Sequence, residues 1–192
     1  LSSDAGLLLM KEFYHKFGVD TLAKEVFHTT DPGHIRYHKD HDNLLQMLYQ
    51  ITAAYFQDDH ADALRHDPAI TAAVGKEALA SQPTLSRFHN RLDEHTLAQL
   101  EEMQKTLRRR AYSVEMPESV LFDLDSTLLA TFGKQEGSAF NYHYQANGYH
   151  PLLCFDGMTG DLLKMELRPG TQYCCNGAAE FMRPLMEEFQ EN

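Results

Sequence analysis

The sequence predicts an α+β protein in two parts. Apolar residues recur at helical spacing through residues 1–110. At Pro117 the pattern changes to short β-prone runs around a Gly-rich hairpin loop. A final amphipathic stretch, 177–190, returns to helical spacing. The expected division is a helical region over 1–112 and a β, β-hairpin, α unit over 113–192.

The elements follow in chain order. Segment 5–17 carries Leu8, Leu9, Phe13 and Phe17 on one stripe and stops at Gly18, a residue suited to ending a helix. Asp20 starts a short helix through Phe27, and Thr30-Asp31-Pro32-Gly33 reads as a turn. Segment 42–57 places Leu44, Leu48, Ile51 and Tyr55 inward. A short helix is expected over 70–79. Pro83 then opens a helix with Leu85 and Phe88 inward. Segment 94–110 aligns Leu97, Leu100, Met103 and Leu107, with an acidic start and a basic end that suit the helix dipole. Beyond Pro117, strands are expected at 119–124, 149–156 and 161–167. The last two flank Asp156-Gly157-Met158-Thr159-Gly160. Asn176 caps the last helix, with Phe181, Leu185, Met186 and Phe189 inward and Pro184 kinking it.

Composition narrows the function classes. Apolar residues are 43% and charged residues 23% of the 192, which excludes a disordered or fibrous chain. No run approaches the roughly 20 apolar residues of a membrane span. Three cysteines, two of them adjacent, make no disulfide framework and point to a reducing compartment. The net charge is −11, which by itself disfavours a nucleic-acid partner. The charge is uneven, however. Residues 81–113 hold six basic and four acidic residues, whereas 114–192 hold four and twelve.

Three motifs carry candidate chemistry. The first is 84–90, TLSRFHN. It presents Thr84, Ser86, Arg87, Asn90 and Arg91 outward, side chains that reach phosphates and base edges. It resembles the recognition helix of helix-turn-helix regulators, although Gly75 lies too far upstream for their turn. An ordinary surface helix is the alternative. The second is Arg108-Arg109-Arg110 with Lys105, which either contacts phosphates or forms a solvated helix end. The third is 121–127, LFDLDST. Asp123 and Asp125 share one face of a strand, repel one another and suit a hard cation. His34, His38 and His41 read as surface histidines rather than metal ligands, and His143 and His150 lie nearer the acidic strand.

Two families resemble the acidic motif. FDLDSTLL, 122–129, looks like motif one of haloacid-dehalogenase-like phosphatases. There Asp123 would be the nucleophile and Asp125 the acid and base, with Mg²⁺ between them. That fold needs a parallel sheet with helical crossovers, and here a Gly-rich loop and an antiparallel hairpin follow.

The second resemblance covers nearly the whole chain. It includes 2–13, SSDAGLLLMKEF; 64–70, LRHDPAI; 79–92, LASQPTLSRFHNRL; the acidic motif; and 133–170, GKQEGSAFNYHYQANGYHPLLCFDGMTGDLLKMELRPG. These blocks resemble bacterial insertion-sequence transposases of the DDE type, transposase DDE domain group 1, with an RNase H-like catalytic core. The resemblance implies a function: binding transposon-end DNA, then Mg²⁺- or Mn²⁺-dependent strand cleavage and transfer to target DNA. It implies Asp125 as the first catalytic metal ligand, with Asp123 as the secondary candidate. It also implies a cytoplasmic, nucleoid-associated protein of bacteria. The family's second Asp and its Glu lie beyond residue 192. The expectation is a fragment holding the first part of the core, inactive alone and self-associating through the open edge of strand 119–125. A non-catalytic DNA-binding module derived from a transposase is a third reading.

Overall fold

The computed structural model describes residues 3–31, 35–57 and 59–190. Pro32, Gly33 and His34, part of the expected turn and of the histidine series, lie outside the described residues, as does Ser2. The chain forms two compact units, Leu1–Met116 and Pro117–Asn192.

The first unit is helical: α1 (Leu7–Phe17), α2 (Val19–Val26), α3 (Asp40–Thr52), α4 (His60–Ala63), α5 (Pro68–Val74), α6 (Gln82–His89) and α7 (Glu94–Val114). Gly18 ends α1 in the left-handed conformation, at φ 79°, which glycine adopts without steric cost. The inward face of α1 differs from the expected stripe. Leu7 is buried and Met10, Tyr14 and Phe17 pack on the core, while Leu8, Leu9 and Phe13 are exposed. The run Leu7–Met10 offers two stripes, and the one that continues with spacings of three and four through Tyr14 and Phe17 wins.

Similarly, α3 turns Leu44, Leu45 and Tyr49 inward and leaves Ile51 exposed. The helix stops at Thr52, before Tyr55, and Ala54 takes a positive φ of 64°. The helix expected over 70–79 is α5. It starts earlier because Asp67 caps it, accepting from Ala69 N at 2.9 Å and Ile70 N at 3.0 Å. It stops earlier because Gly75 turns left-handed at φ 78°. Leu100, Met103 and Leu107 of α7 join the core, but Leu97 does not.

The core of this unit gathers Leu22, Phe27, Tyr49, Ile70, Leu79, Phe88 and Met103. Phe27 and Phe88 meet edge to face, with centroids 6.0 Å apart.

The second unit contains β1 (Phe122–Ser126), β2 (Leu129–Ala130), β3 (Ala139–Asn141), β4 (Ala146–Tyr149), β5 (Leu152–Asp156), β6 (Leu162–Glu166) and α8 (Ala178–Gln190). One antiparallel sheet has the order β1-β5-β6. The first strand starts three residues later and ends two residues later than the expected 119–124. A second small sheet, β2-β4-β3, occupies the stretch expected to be a loop. Its strands are two to four residues long and include Gly148, so they carry almost no period-two signal. A Cβ on Gly170 would run into the carbonyl oxygens of Ala139 and Gly148. Only glycine lets the chain after β6 close over this sheet.

α8 covers one face of the first sheet. Phe181 and Leu185 bury against Leu152, Cys154 and Leu163, and Phe189 packs on Phe122 at 5.4 Å. Pro184 lies inside this helix. Met186, expected inward, is exposed.

Candidate functional site

β1 is set by its apolar residues. Val120 and Phe122 pack on the core beneath α8. Alternation along the strand then turns Asp123 and Asp125 to the opposite face, where both are exposed. Asp123 lies opposite Phe155 and Asp125 opposite Leu153 on β5. The Asp125 Oδ1 accepts from Ser126 N at 2.7 Å. Two carboxylates on one open face are hard oxygen donors of the kind that suit Mg²⁺ or Mn²⁺. Among the described residues, no group of three or more His, Cys, Asp and Glu converges to hold a metal ion.

The neighbouring acids have other tasks. Asp156 is fully buried. Its carboxylate accepts from Leu121 N at 3.2 Å, Met158 N at 3.0 Å and Thr159 Oγ1 at 3.1 Å. It ties the entry of β1 to the hairpin turn. Cys154 is buried, and burial pushes its thiol pKa up, with the charge of Asp123 acting in the same direction. That disfavours the reactive thiolate.

The histidines divide. His150 is buried, with Nδ1 2.7 Å from the Gln172 carbonyl oxygen. His143 is exposed and its ring meets Tyr144 edge to face. His38 and His41 are held below the ordinary histidine pKa, chiefly by burial, with Lys76 near both.

On α6, Leu85 and Phe88 point inward and anchor the helix. Arg87 and Asn90 are exposed, while Thr84 and Ser86 are half-buried. Thr84 Oγ1 lies 3.0 Å from Ser81 Oγ and accepts from Arg87 Nη2 at 3.4 Å. Arg91 is placed differently from the sequence expectation of an outward side chain. It donates to Asp40 Oδ1 at 3.1 Å and to the Arg87 carbonyl at 3.0 Å, with Nε 3.7 Å from Asp31.

The arginine triple also separates. Arg108 is buried. Arg110 donates to the carbonyl oxygens of Phe17 and Gly18, both at 2.9 Å, and so closes the C-terminus of α1. Arg109 remains exposed, 3.4 Å from Glu102. The accessible candidates are therefore Thr84, Ser86, Arg87, Asn90 and Arg109.

Two supporting devices escaped sequence reasoning. Asp40 pairs with Arg36 four residues away and with Arg91 across a long sequence separation. Gln46, buried on α3, donates to the Ala80 carbonyl at 3.0 Å and accepts from Ala80 N at 2.8 Å. That clamp fixes the approach to α6. The acidic start of α3 was the visible signal for the first device; the second left none.

The family profile described as Transposase DDE domain group 1 matches residues 1–192. The chain belongs to that family. Transposases of this family are in general polynucleotidyl transferases that bind DNA and use divalent metals. No curated protein and no solved structure matches this chain. The phosphatase alternative gains no support. The sheet that holds β1 is antiparallel throughout, without the parallel crossovers that chemistry is built on. Among the described residues, no helix is long and apolar enough to cross a membrane.

Proposed function

We propose that this protein binds transposon-end DNA and contributes the first metal-binding carboxylate for DNA strand cleavage and transfer. The supporting observation is the pair Asp123 and Asp125 on the uncovered face of β1, in a chain matched by the transposase family over its whole length. In this reading, Asp125 is the principal ligand and Asp123 its neighbour. Mg²⁺ or Mn²⁺, when bound there, supplies charge neutralisation and nucleophile activation for phosphoryl transfer.

The chain's own residues do the remaining work. Phe122 and the Asp156 hydrogen bonds hold β1 in place, so the carboxylates are presented on a fixed strand. On the helical unit, Thr84, Ser86, Arg87 and Asn90 face the DNA, and Arg109 supplies a further phosphate contact. The strand order β1-β5-β6 followed by α8 is compatible with the opening of an RNase H-like core. The domain reading is 1–112 for DNA binding and 113–192 for the start of that core.

Two-metal cleavage needs several carboxylates holding ions about 4 Å apart. Cleavage, in a bacterial, nucleoid-associated setting, is therefore read as needing further carboxylates beside Asp123 and Asp125. The outer edge of β1 is open to a second copy.

The test pairs two measurements on the 192-residue chain. Binding to a labelled duplex of the element's end is followed in wild type and Arg87→Ala. Mn²⁺ binding is followed by electron paramagnetic resonance in wild type and Asp125→Asn. The reading expects DNA binding weakened by the first change and Mn²⁺ binding lost in the second. Retained Mn²⁺ binding in Asp125→Asn would remove Asp125 from the metal site.

A further inference from the structure

The helical unit contains a cleft of about 270 Å³ between α2 and the start of α3. Phe27, almost fully buried, forms part of its lining. Lys24, Lys39, Arg36, His28 and His41 also line it, together with Asp40. No carboxylate among the described residues pairs with Lys24 or Lys39. The carboxylates nearby are already neutralised. Asp40 accepts from Thr29 N at 2.9 Å, Thr29 Oγ1 at 2.8 Å, Arg91 at 3.1 Å and Arg36 at 3.5 Å. Asp42 holds Lys76 at 2.8 Å, and Asp31 pairs with Arg36. Three cations thus line the cleft against one carboxylate, and two of them, Lys24 and Lys39, are uncommitted.

Size decides between ligand classes. Sites for drug-sized molecules run to about 300–1,000 Å³. This cleft is below that range, and apart from Asp40, whose oxygens already accept from Thr29, Arg36 and Arg91, its charged lining is cationic. A single tetrahedral anion fits both facts. Two ammonium groups with two imidazoles match phosphate oxygens.

We infer that the Lys24–Lys39 cleft binds one phosphate group, supplied by the backbone of bound DNA. The DNA source rests on the function proposed above; the phosphate chemistry does not. Burial first, then Lys39, Lys24 and Lys76, lower the His41 pKa against the opposing effect of Asp42. An anion in the cleft reverses the sign of that field and raises it, which provides a reporter.

The experiment uses the 192-residue chain and a Lys24→Gln/Lys39→Gln double variant. Both side chains are exposed and outside the core, so the thermal melt stays unchanged. Duplex DNA binding is measured across a range of salt concentrations. The expected result is roughly tenfold weaker binding in the variant, uniform across sequences. The log–log salt slope should fall by about 1, the loss of one phosphate contact.

Inorganic phosphate is titrated in parallel while the His41 ring is followed by NMR. Suppose DNA binding is absent, or insensitive to the variant, while phosphate shifts His41 only in wild type. The cleft is then a phosphate site for a soluble compound, and only the DNA source fails. No change in DNA binding together with no phosphate-induced shift of His41 overturns the inference.

Discussion

Asp40 shows how one residue can serve the fold and shape the site at once. Burial raises its pKa, but hydrogen bonds from Thr29 and Arg91 outweigh burial and hold the carboxyl below its ordinary 3.8. A depressed folded pKa means the stabilisation is present above the unfolded value and is lost as pH falls through the folded one. Acid unfolding should therefore steepen below pH 3.8, and Asp40→Asn should flatten that part of the curve, as followed by circular dichroism. An unchanged acid limb would mean Asp40 is not the titrating group. Arg91 and Arg87 make a sharper contrast. Removing Arg91 leaves the buried Asp40 with Thr29 and the more distant Arg36, so Arg91→Ala should cost about 1–3 kcal/mol in denaturant unfolding. Arg87→Ala should leave stability unchanged and weaken DNA binding roughly tenfold, within the usual range for such an arginine. The reverse pattern would move the DNA interface away from α6. Sequence alone could not separate these two arginines. Their spacing on the helix puts both outward, and only the return of α3 brings Asp40 under Arg91. That Asp123 and Asp125 share one exposed face of β1 was legible because strand alternation is a local rule.

Among the elements, α6 depends on a neighbour far away in sequence. Gln46 on α3 satisfies both backbone groups of Ala80, immediately ahead of the helix. Gln46→Ala should leave those groups unpaired in a buried site, at a cost of about 1–3 kcal/mol in unfolding free energy. Hydrogen exchange at residues 79–89 should rise more than in α7. Uniform exchange across both helices would show that the clamp does not govern α6. This dependence also explains the limits of reading elements from sequence. The presence of α1, α2, α6, α7, β5, β6 and α8 was legible because each has a clear period or a strong cap, but the inward face of α1 was not, because its apolar run offers two stripes. The extent of α3 was misjudged because Ile51 and Tyr55 extend the apolar stripe past the helix end at Thr52. β2, β3 and β4 were missed because they owe their pairing to Gly148 and Gly170 rather than to any apolar alternation. Gly170→Ala should therefore destabilise the second unit by about 1–3 kcal/mol, as overpacking does. A near-neutral unfolding curve would mean the chain after β6 can move away from the small sheet.

At the scale of the whole molecule, the second unit combines a small core with an open strand edge. Pro117–Asn192 falls in the size class of about 70–80 residues, where one core supplies only about 3–5 kcal/mol. Among the described residues, its buried cluster consists of Leu152, Cys154, Leu163, Phe181 and Leu185. β1 is the edge of its sheet, and Leu121 and Leu124 are exposed on and beside it. Unpaired backbone beside exposed leucine is a template for another strand. Pairing two copies through β1 would add backbone hydrogen bonds and bury both leucines, which a marginal unit gains from most. The opposing term is charge. Asp123 and Asp125 would be brought near their counterparts, and residues 114–192 already hold four basic and twelve acidic residues. Association should therefore strengthen with salt, which screens that repulsion, and with divalent cations if Asp125 binds them. Sedimentation equilibrium should give a dimer whose affinity rises with both. Leu124→Lys, which places a charge on the edge, should return the chain to monomer without loss of helix content. A wild-type monomer at every concentration, with and without Mg²⁺, would exclude the β1 edge as a self-association surface.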